Sequence, residues 1–136
     1  MKSILSIIFI CLSLQLLAPG YPTGYIAVGE KIEPYEALWK AVCTVESHND
    51  PNAFNPVESA TGIAQVIPIR LKDYNTRTGE HLRLNEMYDP LKAKKVFMFY
   101  CKGNDIEKIA RRWNGTGPKT DAYWLKIQRE LKNPKI

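Results

Sequence analysis

The chain has 136 residues, 45% of them hydrophobic and 24% charged, a balance too apolar for a disordered chain and sufficient for one domain with a core. The 19 Lys+Arg against 14 Asp+Glu leave a formal net charge of +5, a mild excess that suits a polyanionic surface. With no zinc-finger spacing, RNP-like motif or dense Lys/Arg run, it gives no ground for a nucleic-acid partner.

The N-terminus reads as a signal peptide over residues 1–20. Lys2 supplies the positive start, Ile4 to Leu17 the apolar run, and Ala18-Pro19-Gly20 the small residues of a cleavage site after Gly20. The alternative is a retained membrane anchor, for which the run is short of the ~20 residues a span needs. Cys11 lies inside the run without the small residues that precede a lipidated cysteine. Cleavage removes Lys2 and Cys11, leaving 18 Lys+Arg against 14 Asp+Glu, a net +4, together with Cys43 and Cys101. Two cysteines in an exported chain point to one disulfide, ahead of the alternative of two buried free thiols.

Residues 21–32 contain Pro22, Gly24 and Gly29 and show no helical period, so they read as a flexible lead-in to a domain over 33–136. Pro34 suits the first turn of a helix. Tyr35, Leu38, Trp39, Val42, Cys43 and Glu46 then share one face, with Glu36 and Lys40 spaced to pair on the other. Asn49-Asp50-Pro51 ends the pattern, and a loop is expected to Thr61. A helix from Pro68 to about Thr76 follows, then a polar loop from Arg77 to Tyr88 with room for a short turn of helix. Asp89-Pro90 opens a helix with Ala93, Val96, Phe97, Tyr100 and Cys101 inward, and Gly103 ends it. Asp105 caps the next, with Ile106, Ile109, Ala110 and Trp113 inward. Asn114 to Pro118 is a turn, and Thr120 caps a last helix carrying Tyr123, Trp124, Ile127 and Leu131. The expected fold is all-α, about five small packed helices with no convincing strand.

Glu46 continues the apolar face of the first helix and sits in its last turn. Desolvation and the negative end of the helix dipole both disfavour its anion. A carboxyl that keeps its proton is what a general acid for glycoside cleavage requires. The competing reading, a slightly rotated helix with Glu46 as a solvated end residue, is open on this geometry alone.

The surrounding motifs bear on that choice. Glu46-Ser47, the Pro/Asn loop to Pro56, Ser59-Ala60-Thr61-Gly62-Ile63-Ala64-Gln65, then Ala110-Arg111-Arg112-Trp113-Asn114-Gly115 and a downstream Tyr123 resemble the soluble lytic transglycosylase family. That family belongs to the lysozyme-like superfamily and is related to goose-type lysozymes. The resemblance runs from about Tyr35 to Leu131. It implies Glu46 as the catalytic glutamate and Ser47, Gln65, Asn114 and Tyr123 as substrate-binding residues, with Ser47 orienting substrate or supporting the site and Tyr123 a wall of the cleft. Trp113 stands where the family usually has a tyrosine whose hydroxyl lies beside the glutamate. Indole offers only an N–H donor, so that contact must be remodelled. Trp113 also completes an apolar stripe and reads as a core residue.

The implied activity is cleavage of the peptidoglycan bond between N-acetylmuramic acid and N-acetylglucosamine, leaving a 1,6-anhydro end, with one glutamate as acid and then base. It needs no metal or organic cofactor. The implied partners are peptidoglycan strands and a cell-envelope secretion or phage apparatus, with no nucleic acid and no stable membrane insertion after cleavage. Location would be secreted, periplasmic or wall-associated. Two alternatives stand beside it. A hydrolytic muramidase would need a second carboxylate, with Asp50, Glu58 and Asp73 as candidates. A non-catalytic glycan-binding module of a secretion or conjugation apparatus would keep the fold alone. The Asn114-Gly115-Thr116 sequon would fall beside the cleft, where no glycan is expected.

Overall fold

The computed structural model describes residues 34–133; the signal peptide and lead-in expected from the sequence lie outside them. The described chain is mainly helical: α1 Pro34–Ser47, α2 Pro68–Thr78, α3 Pro90–Cys101, α4 Ile106–Asn114 and α5 Lys119–Lys132, with a 3-10 helix at Leu84–Tyr88. No helix among the described residues is long and apolar enough to cross a membrane.

The apolar stripes become the core. Leu38, Trp39, Val42 and Cys43 of α1 meet Ala93, Val96, Phe97 and Cys101 of α3, Ile109, Ala110 and Trp113 of α4, and Tyr123 and Ile127 of α5. At its centre the Phe97 ring lies 5.4 Å from Trp39 and 4.9 Å from Trp113 between centroids, in the tilted and edge-on arrangements that the ring quadrupole favours. The helix starts follow local chemistry. Asp89 accepts from the Leu91 N–H at 2.8 Å and Asp105 from the Lys108 N–H at 2.9 Å, each satisfying an orphan donor of a first turn. Gly79 ends α2 at φ 75°, its N–H donating to the Asn75 carbonyl.

Four expectations need correction. Phe54–Asn55 and Ala60–Thr61 form a two-stranded antiparallel hairpin where only a loop was expected, with Phe54 opposite Thr61 and Asn55 opposite Ala60. Strands of two residues are too short to show alternation. Thr120 does not cap α5; the helix opens from Pro118, and the Thr120 hydroxyl donates back to the Gly117 carbonyl at 2.8 Å. Glu36 does not pair with Lys40 within α1 but with Lys94 of α3 at 2.6 Å, because packing brings the neighbouring helix to that face. The bridge expected between Cys43 and Cys101 is not formed: both are free thiols in the core. Burial pushes each up to about 12, so both are held as neutral thiols.

The hairpin and the turn after it are fastened to the end of α1. Thr61 and Val66 exchange backbone hydrogen bonds at 3.0 Å each, and the Gly62 N–H donates to the Ala53 carbonyl at 2.8 Å. Gly62 stands at φ +78°, and a Cβ there would lie 1.9 Å from the Met87 carbonyl oxygen. Only glycine permits that approach of the turn to the 3-10 helix.

Candidate active site

Glu46 reaches a cleft of about 170 Å³ between the hairpin and the ends of α2 and α4, lined also by Asn55, Glu58, Gln65, Arg70, Trp113 and Asn114. Its carboxyl is half-buried, and desolvation raises it above the ordinary carboxylate value of 4.5. The Tyr123 hydroxyl donates to Glu46 Oε1 at 2.8 Å, opposing that rise, as does the more distant Arg70 charge, while Glu58 adds to it. The balance leaves Glu46 raised. A carboxyl so placed holds a proton more readily than a surface glutamate, while its anion keeps one strong donor.

Gln65 and Asn114, both expected at the site, line the cleft with Glu46. Gln65 has φ +50°, a left-handed conformation that a non-glycine side chain adopts at a cost of about 1–3 kcal/mol. Its Nε2 donates to the carbonyls of Gly62 at 3.0 Å and Ala53 at 3.3 Å. Those bonds occupy the amide nitrogen and leave the amide oxygen as an acceptor.

Ser47 and Tyr123, also expected at the site, are not among the residues lining the cleft. The Ser47 hydroxyl donates to the Ile63 carbonyl at 2.7 Å, with a longer 3.2 Å contact to the Cys43 carbonyl, and accepts from the Asp50 N–H at 3.1 Å. It clamps the end of α1 to the turn carrying Gln65 and does not line the cleft. Tyr123 is only 6% exposed and meets Glu46 from outside the cleft lining. Its hydroxyl stands beside the glutamate, the place that the sequence resemblance assigns to a tyrosine at position 113. Trp113 itself is a core residue, as its stripe suggests, 4% exposed, with its Nε1–H donating to the Ala64 carbonyl at 3.0 Å.

Of the three second carboxylates considered, Glu58 alone reaches the cleft. Asp50 accepts from the Asn52 N–H at 2.9 Å, and Asp73 accepts from the Tyr100 hydroxyl at 2.8 Å. Asn55 and Arg70 were not anticipated. Asn55 follows from the unforeseen hairpin. For Arg70 the only local signal was a cation five residues after Gln65, in the first turn of a helix whose inward residues are Leu71 and Tyr74.

Residues 25–102, more than half of the chain, match the family described as "Transglycosylase SLT domain". The matched stretch contains Glu46, Ser47, Gln65 and Arg70 and stops before Trp113, Asn114 and Tyr123. No curated protein and no solved structure matches the chain.

Proposed function

The chain belongs to the transglycosylase SLT domain family, and on that premise we propose that it is a peptidoglycan lytic transglycosylase acting outside the cytoplasm with Glu46 as its acid and base. The observation that carries this reading is the environment of Glu46: a carboxyl raised by burial at the wall of a cleft, with one tyrosine hydroxyl on its oxygen. Burial favours the protonated acid for the first step, and the hydroxyl donor supports the carboxylate that the second step needs.

In this mechanism Glu46 donates its proton to the glycosidic oxygen between N-acetylmuramic acid and N-acetylglucosamine as the bond to C1 breaks. The acetamido group of the muramic residue stabilises the oxocarbenium-like centre, one of the substrate-assisted exceptions to the two-carboxylate scheme. The Glu46 carboxylate then takes the proton of the 6-hydroxyl, and that oxygen bonds to C1. Glu46 ends as it began, protonated, and no water is consumed. Gln65 and Asn114 are the side chains we assign to hold the sugar. Export through residues 1–20 and the use of the enzyme by an envelope or phage apparatus belong to the same proposal.

Glu46→Gln keeps shape and an acceptor for Tyr123 but cannot donate the proton. It should lower sacculus clearing at least about a hundredfold. Equal activity of the variant and the wild type would reject Glu46 as the acid.

The presence of Glu58 in the cleft favours one second reading, a hydrolytic muramidase in which Glu58 activates water. Mass spectrometry of the digest separates the two. Anhydro ends, one water lighter than reducing ends, are expected, and Glu58→Gln should still produce them. Reducing ends that disappear in Glu58→Gln would establish the hydrolase. A wild type that cuts no sacculus would leave a glycan-binding module.

A further inference from the structure

Arg70 is the one cation among the described residues that lines the Glu46 cleft. Its guanidinium lies over the Trp113 ring, 4.1 Å from the centroid. Its Nη2 donates to the Trp113 carbonyl at 2.6 Å and the Arg112 carbonyl at 3.2 Å. Stacking and two carbonyls therefore hold the guanidinium in one orientation. These contacts use Nη2 alone and leave three N–H groups, on Nε and Nη1. Arg70 takes part in none of the salt bridges among the described residues. Since no buried side-chain polar atom there lacks a partner, the three remaining donors touch solvent. A fixed cation with free donors, in a cleft whose other charged groups are both carboxyls, is arranged to receive an anion.

We propose that Arg70 recognises a carboxylate carried by the saccharide, so that the cleft selects acidic amino-sugar polymers over uncharged ones. On the transglycosylase reading, from which this follows, that carboxylate is either the free lactyl acid of a peptide-stripped muramic residue or a carboxylate of the attached peptide. Trp113 gains a use here. The position gives up the hydroxyl that Tyr123 supplies and provides the flat face that orients the cation.

The test measures binding to Glu46→Gln, which leaves ligands uncut, for three glycans of equal length: peptide-free muramic-containing strands, peptide-bearing strands and chitin oligosaccharide. The parent should bind at least one acidic glycan about tenfold more tightly than chitin, with a preference that shrinks as salt rises. Whichever acidic ligand carries the preference identifies the carboxylate. Adding Arg70→Gln should bring the ligands within about twofold of each other, and Arg70→Lys should keep part of the preference. Equal loss for all three ligands in a folded Arg70→Gln chain would overturn the proposal. So would an absent preference in the parent, or a preference left unchanged by Arg70→Gln. If Arg70→Gln fails to fold, the parent's salt series and Arg70→Lys carry the decision. A wild type inactive on sacculi that still prefers acidic glycan would refute the transglycosylase reading and leave the Arg70 assignment standing.

Discussion

At the scale of single residues the decisive group is Glu46, and its behaviour is set by two opposing neighbours. Burial raises it, and the Tyr123 hydroxyl holds it down. Tyr123→Phe removes the donor and keeps the ring, so Glu46 rises further. On the proposed mechanism the acid must be protonated to act, so the alkaline limb of the pH–rate profile should move to higher pH, with kcat falling about tenfold. An unmoved limb would deny that the bond tunes the acid. The same burial has a sign for stability. The folded state binds the Glu46 proton more tightly than the unfolded state, whose value is 4.5. The wild type therefore loses stability as pH rises from 4.5 through the folded value. Glu46→Gln should melt higher than wild type above that window and converge with it below. Thermal scans from acid to neutral pH check this, and a variant that melts lower at neutral pH would contradict the burial. Glu46 was legible from the sequence because helical phase and the end of a helix are local properties. Its partner was not, since Tyr123 comes from 77 residues along the chain.

At the scale of elements, the turn from Thr61 to Val66 is what brings Gln65 to the cleft. It presents Gln65 in a left-handed conformation, is clamped to α1 by Ser47, and presses against the 3-10 helix at Gly62. Gly62→Ala would place a methyl in the Met87 carbonyl at a φ that alanine resists. A loss of about 3 kcal/mol or more is expected in denaturant unfolding. A loss below about 1 kcal/mol would show that the turn can back away from Met87. The motif order indicated that Gly62 and Gln65 matter, and a glycine at a turn is readable as such. The hairpin before them was not readable, because two-residue strands leave no period. With it went Asn55 and the approach of Glu58 to the cleft.

At the scale of the molecule, the matched family stretch ends at residue 102, whereas the site does not. α4 and α5 supply Trp113, Asn114 and Tyr123, and they cover the apolar face of α1. A chain ending at Gly103 would expose Leu38, Trp39 and Val42, and Glu46 would lose its hydroxyl donor. Such a chain should show no cooperative thermal transition and should bind a hydrophobic dye. A cooperative melt would mean that the first three helices form a core by themselves.

The sequence by itself determined the helical class, the inward stripes, the Asp89 and Asp105 starts and the placement of Glu46 at the end of an apolar face. Periodicity, capping and dipole act over one or two turns, so a linear reading contains them. The tertiary structure alone decided which elements meet. It put Tyr123 on Glu46, Arg70 over Trp113 and Glu36 against Lys94, left Cys43 and Cys101 as separate thiols, and bonded Ser47 to the Gln65 turn. Each depends on how helices cross and on side chains from distant segments sharing a space, and local spacing does not carry that information.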